Sequence, residues 1–251
     1  MRAILTYHSI DDSGSPISVS PEVFRAHCAF LASGRVRVLP LVDLMREGDT
    51  GGDAVAITFD DGFENTGTVA WPMLAAHGLP ATVFVVPGHV GKFNDWGGRR
   101  VPGIPHLSLL SWDALGQLVM QHATLGAHTM THANLAGLDA SGIDEELDRG
   151  HAAMVQHAGV APTTFAYPYG GTSPVAARAV RARYEFAVTT ELRPLRSGED
   201  AALLPRLDMY YVRSPGALEA WGQPSFHARL WTRRLGRQAR AWLHPSAGRV
   251  A

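Results

Sequence analysis

Short apolar segments alternate with longer segments of helical periodicity along most of the chain. The short segments are almost continuously apolar and contain many β-branched residues, which is typical of strands buried on both faces of a parallel sheet. We predict eight strands, at residues 3–9, 36–41, 54–60, 81–87, 123–129, 163–168, 185–190 and 203–212.

The segments between these strands carry apolar residues at the spacing of one helical face. Ser111 and Ser141 occupy positions expected of N-caps, and Pro174 follows Ser173 as proline does in a first helical turn. We predict helices at residues 21–33, 69–78, 111–123, 141–159 and 173–184. The alternation predicts an α/β fold whose parallel sheet is either open or closed into a barrel.

Composition favours one large domain and narrows the function classes. The chain has 251 residues, of which 46% are hydrophobic and 18% charged, so it can build a sizeable core. A formal net charge of -1 gives no argument for a nucleic-acid partner. Cys28 is the single cysteine and fits a reducing compartment. Because no signal-peptide core or bilayer-spanning stretch is evident, we expect a cytoplasmic protein.

Three polar clusters follow predicted strands directly. Asp60 and Asp61 end one strand, the "HTMTH" segment (128–132) ends a second, and "YPYGG" (167–171) ends a third. In parallel α/β folds, the carboxyl ends of the strands are the edge at which ligands bind and chemistry occurs. We therefore predict a functional site where these three segments meet.

The histidine spacing predicts a metal site. In an H-x-x-x-H segment, the imidazoles of His128 and His132 can face one point, and one aspartate would complete a two-histidine, one-carboxylate site. Such a site suits Zn²⁺, with Co²⁺ or Ni²⁺ as alternatives. A cation would also offset the repulsion between the adjacent carboxylates of Asp60 and Asp61. The alternative is that both are ordinary surface histidines, since the chain contains 12.

The segments "TFDDG", "HTMTH" and "FAYPYG", in this order, resemble the polysaccharide deacetylase (NodB-homology) family, carbohydrate esterase family four, over roughly residues 3–212. The resemblance implies a distorted (β/α)7-type barrel, which we place in a single domain at residues 1–222, followed by a basic helix or tail at 223–251. It also implies a metal-dependent hydrolase that removes N-acetyl groups from acetamido sugars in a polysaccharide, oligosaccharide or glycoconjugate.

The resemblance assigns a role to each motif residue. Asp61 would bind the metal with His128 and His132, and Asp60 would be the general base. The backbone N–H of Tyr169 would stabilise the oxyanion, while the Tyr169 side chain would form a wall of the site.

Three further residues are predicted around the substrate. We expect Tyr167, in the same motif as Tyr169, to contact it. Residues 88–110 form a long Gly- and Pro-rich loop that we expect to overhang the catalytic edge. Within this loop, Trp96 could stack on a sugar ring or serve only as a loop anchor. Asp208 is a third candidate, either for binding substrate or for orienting a catalytic group.

The chain departs from the common family pattern at two points. The third motif usually begins with an arginine that hydrogen-bonds the base, but Ala166 stands there. Arg206, on the last predicted strand, is a candidate replacement, the alternative being a salt bridge without catalytic consequence. The usual C-terminal histidine acid is also missing. Some relatives are circularly permuted and carry this histidine in an N-terminal Tyr-His pair, so His8 would protonate the leaving amine, unless it is a buried structural histidine.

The C-terminal segment 226–243 is basic and helix-compatible. It could contact anionic lipid as an interfacial helix, or it could pack on the barrel with a solvated basic face. The apolar residues that we expect to share one face are Phe226, Leu230, Trp231, Leu235 and Trp242.

Two other functions remain open at this point. One is hydrolysis of a non-sugar cyclic amide on the same metal site. The other is a catalytically inactive carbohydrate-binding relative, which the missing arginine and histidine would allow. Retention of Asp60 argues against it, because a binding module does not need a second unneutralised carboxylate.

Overall fold

Seven parallel strands close into a barrel in the computed structural model, which describes residues 1–98, 100–214 and 216–243, without the side chains of 237–243. In chain order, the strands are β1 Arg2–Tyr7, β2 Ser9–Ile10, β3 Ser18–Val19, β4 Arg37–Val38, β5 Ala54–Phe59, β6 Ala81–Val85, β7 Thr124–Ala127, β8 Thr164–Ala166, β9 Phe186–Leu192 and β10 Leu204–Asp208. The ring runs from β1 through β5–β10 and closes because β1 pairs with both β5 and β10. The predicted (β/α)7-type barrel is confirmed.

Helices surround the barrel at α1 Pro21–Ala32, α2 Leu41–Glu47, α3 Trp71–Ala75, α4 Trp112–Met120, α5 Ala140–Ala158, α6 Pro174–Arg181 and α7 Pro224–Leu243. The side chain of Ser111 caps α4 as predicted, and that of Ser173 caps α6, whose first turn contains Pro174 as predicted. Each serine accepts a hydrogen bond from the backbone N–H three residues on. The prediction for Ser141 is wrong. Helix α5 begins earlier, because the Asp139 carboxylate accepts from the N–H of Gly142 and caps it.

The predicted strand at 36–41 is shorter than expected. Only Arg37 and Val38 pair with β5, and Pro40 then precedes helix α2. Leu41 and Leu44, three residues apart on one helical face, pack against the apolar interior of the barrel. Their apolar character serves the floor of the barrel rather than a longer strand.

Side-chain alternation along the strands divides the barrel interior into two layers. The lower layer is apolar and contains Ile4, Ala56, Phe84, Ala166, Val188 and Leu204. One step toward the carboxyl ends, the interior becomes polar, with Thr6, Thr58 and Arg206 joined by hydrogen bonds. The outward-facing residues of the same strands form the larger core beneath the helices. The polar layer therefore lies directly under the edge at which we predicted the site.

Helix α7 does not place its apolar residues on one face. Phe226 and Leu230 are buried, and the Phe226 ring lies 5.4 Å from the Trp221 ring. Trp231 and Leu235 are exposed. Trp231 follows the buried Leu230 by about 100° around the helix, and Leu235, four residues later, lies on the same exposed face as Trp231. The shared-face prediction is thus wrong for these residues, and the Trp242 side chain lies outside the described part. Membrane contact through 226–243 and the boundary at residue 222 remain predictions.

Across the described residues, we find no helix with both the length and the apolarity needed to traverse a bilayer.

Candidate active site

Left-handed backbone turns present the polar residues at the carboxyl ends of three strands. Asp61, His132 and Tyr169 have φ angles of 70°, 62° and 59°. Residues other than glycine rarely adopt this conformation, and each such residue costs of order 1–3 kcal/mol unless the surrounding structure imposes it. The turn at Asp61 separates two adjacent carboxylates: Asp60 continues the inward alternation of β5, whereas Asp61 faces the histidines.

Asp61, His128 and His132 converge on one point. The Oδ1 atom of Asp61 lies 3.4 Å from Nε2 of His128 and 3.2 Å from Nε2 of His132. All three residues are buried, and one potential ligand atom from each lies within 4.8 Å of the others. Among the groups of described residues that could hold a metal, this one unites the three predicted ligands.

The hydrogen bonds around this group fit a bound cation. Nδ1 of His128 lies 2.7 Å from the carbonyl oxygen of Ala166, which can only accept, so Nδ1 carries the proton. In the neutral His128 ring, Nε2 then carries a lone pair that faces the Asp61 carboxylate. Oδ1 of Asp61 is buried and has no hydrogen-bond partner among the described residues. Converging electron pairs with an unpartnered carboxylate oxygen match a divalent metal with three protein ligands and open positions.

Arg206 reaches the general-base candidate from β10. Its guanidinium forms a two-pronged hydrogen bond with Asp60, at 2.6 Å to each carboxylate oxygen. It also donates to the Thr6 hydroxyl and to the carbonyl oxygen of Thr189. Both partners of the ion pair are almost fully buried, at 1% and 2% exposure. The guanidinium thus lies beside the candidate base although the usual motif position holds Ala166.

The surroundings keep both aspartates ionised. Burial raises the pKa of Asp60, but the charge and hydrogen bonds of Arg206, with smaller contributions from His128 and His8, bring it below its usual value. Burial likewise opposes ionisation of Asp61, yet His132 and His128 hold its pKa well below the ordinary range. Both residues are therefore carboxylates at neutral pH. Asp61 could bind a metal with the two histidines, and Asp60 could accept a proton.

The buried pair predicts a large effect on stability. Replacing Arg206 by Met should lower the free energy of unfolding by about 3–5 kcal/mol, because Asp60 is left as an unpaired buried charge. The double variant Arg206→Met/Asp60→Asn should recover much of this loss. Urea denaturation of both single variants and the double variant measures the coupling. Additive losses would show that the pair does not act as a unit.

The parallel register places His8 beside Asp60. Tyr7 pairs with Phe59, so the next residues on β1 and β5 are neighbours, and Nε2 of His8 lies 3.7 Å from Oδ2 of Asp60. His8 is part-exposed to the cleft rather than fully buried. The Asp208 carboxylate, on the paired strand β10, accepts a hydrogen bond from the N–H of Tyr210 and caps the following turn.

A cleft that opens to solvent lies over these residues. The long loop forms one wall of the cleft with Asn94, Trp96, Val101 and Ile104, so it overhangs the predicted edge through these residues. The Trp96 ring lies against His132, with ring centroids 4.2 Å apart. The hydroxyl of Tyr169 lies 2.9 Å from Nδ1 of His132, and Tyr169 also lines the cleft.

The prediction that Tyr167 contacts the substrate is wrong. Tyr167 has no exposed surface, and its ring packs at 5.0 Å against Phe165 in the core beneath the helices. Phe165 and Tyr167 are two residues apart and share the outer face of the barrel wall, whereas Ala166 faces inward. Burial raises the pKa of the Tyr167 hydroxyl.

Several residues of the site were not predicted. The hydroxyls of Thr6 and Thr58 hydrogen-bond Arg206, and period-two counting back from His8 and Asp60 could have identified them as inward-facing. Ile17, Phe63 and Thr190 line the cleft, but nothing in their local sequence marks them. They arrive there through the β2–β3 connection, the turn after β5 and the end of β9.

Comparison with known sequences decides the family. A family profile described as polysaccharide deacetylase matches residues 47–187, more than half of the chain. The chain belongs to the polysaccharide deacetylase family. This confirms the resemblance drawn from the three motifs.

Curated polysaccharide deacetylase relatives are similar over most of the chain. YxkH of Bacillus subtilis (strain 168), whose name describes a polysaccharide deacetylase, is 25% identical over 193 residues, or 75% of this chain and 64% of its own length. A poly-beta-1,6-N-acetyl-D-glucosamine N-deacetylase of Staphylococcus aureus (strain MSSA476) is 25% identical over 205 residues, or 78% of this chain and 66% of its own length. The chain thus spans slightly less than two thirds of the length of these relatives.

Solved structures share the barrel. IcaB from Ammonifex degensii has a TM-score of 0.71 at 25% identity, covering 91% of this chain and 97% of that one. The deacetylase PplD of Streptococcus pyogenes, solved in complex with acetate, has a TM-score of 0.74 at 19% identity, covering 88% of this chain and 98% of that one. At 19% identity, this second likeness supports the fold alone.

Proposed function

We propose that the protein is a metal-dependent N-deacetylase that hydrolyses the amide of an acetamido sugar in a polysaccharide, oligosaccharide or glycoconjugate, releasing acetate and a free amine. The observation that carries the proposal is the convergence of Asp61, His128 and His132 beside the ionised Asp60 in one cleft. The relative from Staphylococcus aureus, which is named for deacetylation of poly-N-acetylglucosamine, supports an acetamido-sugar substrate.

Asp61, His128 and His132 would hold the metal. Two imidazoles and one carboxylate favour Zn²⁺, and Co²⁺ or Ni²⁺ would also suit these ligands. When bound, the ion supplies Lewis-acid chemistry, lowering the pKa of water and polarising the amide carbonyl.

The chain's own residues would move the protons. Asp60 would take a proton from the attacking water, while Arg206 fixes the plane of its carboxylate by two hydrogen bonds. The backbone N–H of Tyr169, held in its left-handed turn, would donate to the developing oxyanion. His8 would give a proton to the leaving amine from its position at the cleft beside Asp60. Trp96 would form the wall along which a sugar ring lies.

Acetate release from N-acetylglucosamine oligomers tests the proposal. The protein should release acetate from these oligomers and should not open a cyclic ureide, which is the substrate class of the alternative function. A hydrolysed ureide with intact oligomers would favour that alternative. Binding of the oligomers without any hydrolysis, with metal bound, would favour an inactive carbohydrate-binding protein.

Replacing His8 by Gln tests its role as the acid. We expect kcat on an N-acetylglucosamine oligomer to fall about 10²- to 10³-fold, because the amine is a poor leaving group without a proton. Hydrolysis of 4-nitrophenyl acetate should fall far less, since its phenolate leaves unprotonated. His77→Gln, at an exposed position, is the control. Equal losses on both substrates would show that His8 does not act as the acid.

A further inference from the structure

His132 is held differently from the other histidine of the metal group. His128 donates from Nδ1 to the carbonyl oxygen of Ala166, so the main chain of β8 fixes its ring. The corresponding atom of His132 faces a side chain, the Tyr169 hydroxyl at 2.9 Å. Because Nε2 of His132 faces the Asp61 carboxylate, a ligating His132 carries its proton on Nδ1 and the Tyr169 oxygen accepts that hydrogen bond.

The rest of the His132 ring is enclosed by aromatic side chains. Trp96 stacks on it with centroids 4.2 Å apart and planes inclined by 24°. The Tyr169 ring meets it edge-on at 4.6 Å. Because Trp96 belongs to the long loop and Tyr169 to the turn after β8, two separate segments determine the orientation of this imidazole. We call these two residues the His132 clamp.

The loop that carries Trp96 is braced at its own base. The side-chain amide of Asn94 donates to the carbonyl oxygen of Pro105 at 2.9 Å and accepts from the N–H of Leu107 at 2.8 Å. Phe93 forms a β-bridge with Ser108 at the same level. The His89 ring meets the Trp96 ring edge-on, with ring centroids 4.9 Å apart. These contacts close the base of the loop, and the loop holds the Trp96 indole against His132.

We propose that Trp96 and the Tyr169 hydroxyl are positioning residues that hold the His132 imidazole in its ligating orientation, so that the long loop sets the affinity of the site for its metal. The proposal rests on the metal site of the proposed function. It gives Trp96 a role that differs from stacking on a sugar. An imidazole that becomes ordered only when the metal binds lowers the affinity of the site for that metal. An imidazole already held in the ligating orientation does not carry this cost.

Metal affinity, measured by competition with a chromogenic chelator for Zn²⁺ and for Co²⁺, tests the clamp without reference to catalysis. Trp96→Ala should weaken binding about 10- to 100-fold, and Tyr169→Phe, which removes one hydroxyl and keeps the ring, about 10-fold. Trp96→Phe restores an aromatic face and should stay within about threefold of the natural protein. Phe93→Ala is the matched control, because the exposed Phe93 ring stacks on His106 at 4.4 Å and not on His132, and the β-bridge to Ser108 uses main-chain atoms that alanine keeps.

The outcomes separate the clamp from the proposed function. Weaker binding in Trp96→Ala and Tyr169→Phe, with affinity near the natural value in Trp96→Phe and Phe93→Ala, supports the clamp. Natural affinity in both Trp96→Ala and Tyr169→Phe, with a higher KM for oligomers in Trp96→Ala, overturns it and leaves Trp96 as a sugar platform. If Trp96→Ala loses its folded melting transition, Tyr169→Phe alone decides by the same criterion. Absence of metal binding by the natural protein overturns the proposed function and the clamp together.

Discussion

Replacing Asp60 by Asn is expected to lower kcat for acetate release about 10²- to 10⁴-fold while metal binding stays intact. The amide has nearly the shape of the carboxylate but cannot accept the proton of the attacking water. Asp61, His128 and His132 are unchanged, so the metal group keeps its ligands. Metal content and steady-state kinetics on an N-acetylglucosamine oligomer, measured on the same preparation, check both parts of this expectation.

The Asp60 variant needs controls for folding. Arg206 loses its charged partner but keeps its hydrogen bonds to Thr6 and Thr189, so we expect a folded protein of reduced stability. A thermal melt establishes the folded fraction, and Asp113→Asn, in the exposed first turn of α4, is the matched control. Full activity in a folded Asp60→Asn protein would remove Asp60 as the base. Loss of metal along with activity would make Asp60 part of the metal group instead.

Replacing His128 by Ala should abolish both metal binding and turnover. His128 is 2% exposed and supplies one of three converging atoms that could bind a metal. Loss of a direct ligand should weaken metal binding by more than about 100-fold, the upper range seen for residues that only support a ligand. Chelator competition and acetate release measure the two effects. Retention of stoichiometric metal would contradict the ligand assignment, and His77→Ala controls for the loss of an exposed imidazole.

Sequence patterns located the edge of the barrel at which the candidate site lies. Strand positions and the three polar clusters placed Asp60, His128 and Tyr169 at the same edge of the sheet, because the carboxyl ends of parallel strands share that edge. The structure brings them together over a distance that no local pattern specifies. The same pattern misplaced residues 39–41, since a short apolar run such as 36–41 fits a buried strand or the start of a buried helix, and periodicity alone does not separate the two.

Tyr167 and Arg206 show what the motif text alone leaves undetermined. A motif states which residues are adjacent, but the face of a strand decides which of them reaches the cleft. Tyr167 lies on the outer face and Arg206 on the inner face, one step above Leu204. Counting in twos along β10 would have favoured Arg206 as inward-facing, whereas its two-pronged contact with Asp60 depends on the closure of the ring.

Trp96 illustrates a different limit. Its place in a long Gly- and Pro-rich loop indicated a functional segment, and the structure puts it in the cleft. Its contact with His132 depends on the path of the loop, which Asn94 closes through side-chain hydrogen bonds to residues more than ten positions away. Such contacts leave no periodic signal in the sequence, so the His132 clamp can be identified only from the three-dimensional structure.

The metal content of the purified protein, determined by mass spectrometry and paired with acetate release from an N-acetylglucosamine oligomer, tests the central claim most directly. The measurement is made on the protein as purified, after chelation, and after metal is restored. We expect close to one divalent ion per chain, loss of acetate release with the ion, and recovery of both on reloading. Acetate release that persists in metal-free protein, or no metal bound under any loading condition, would contradict the account.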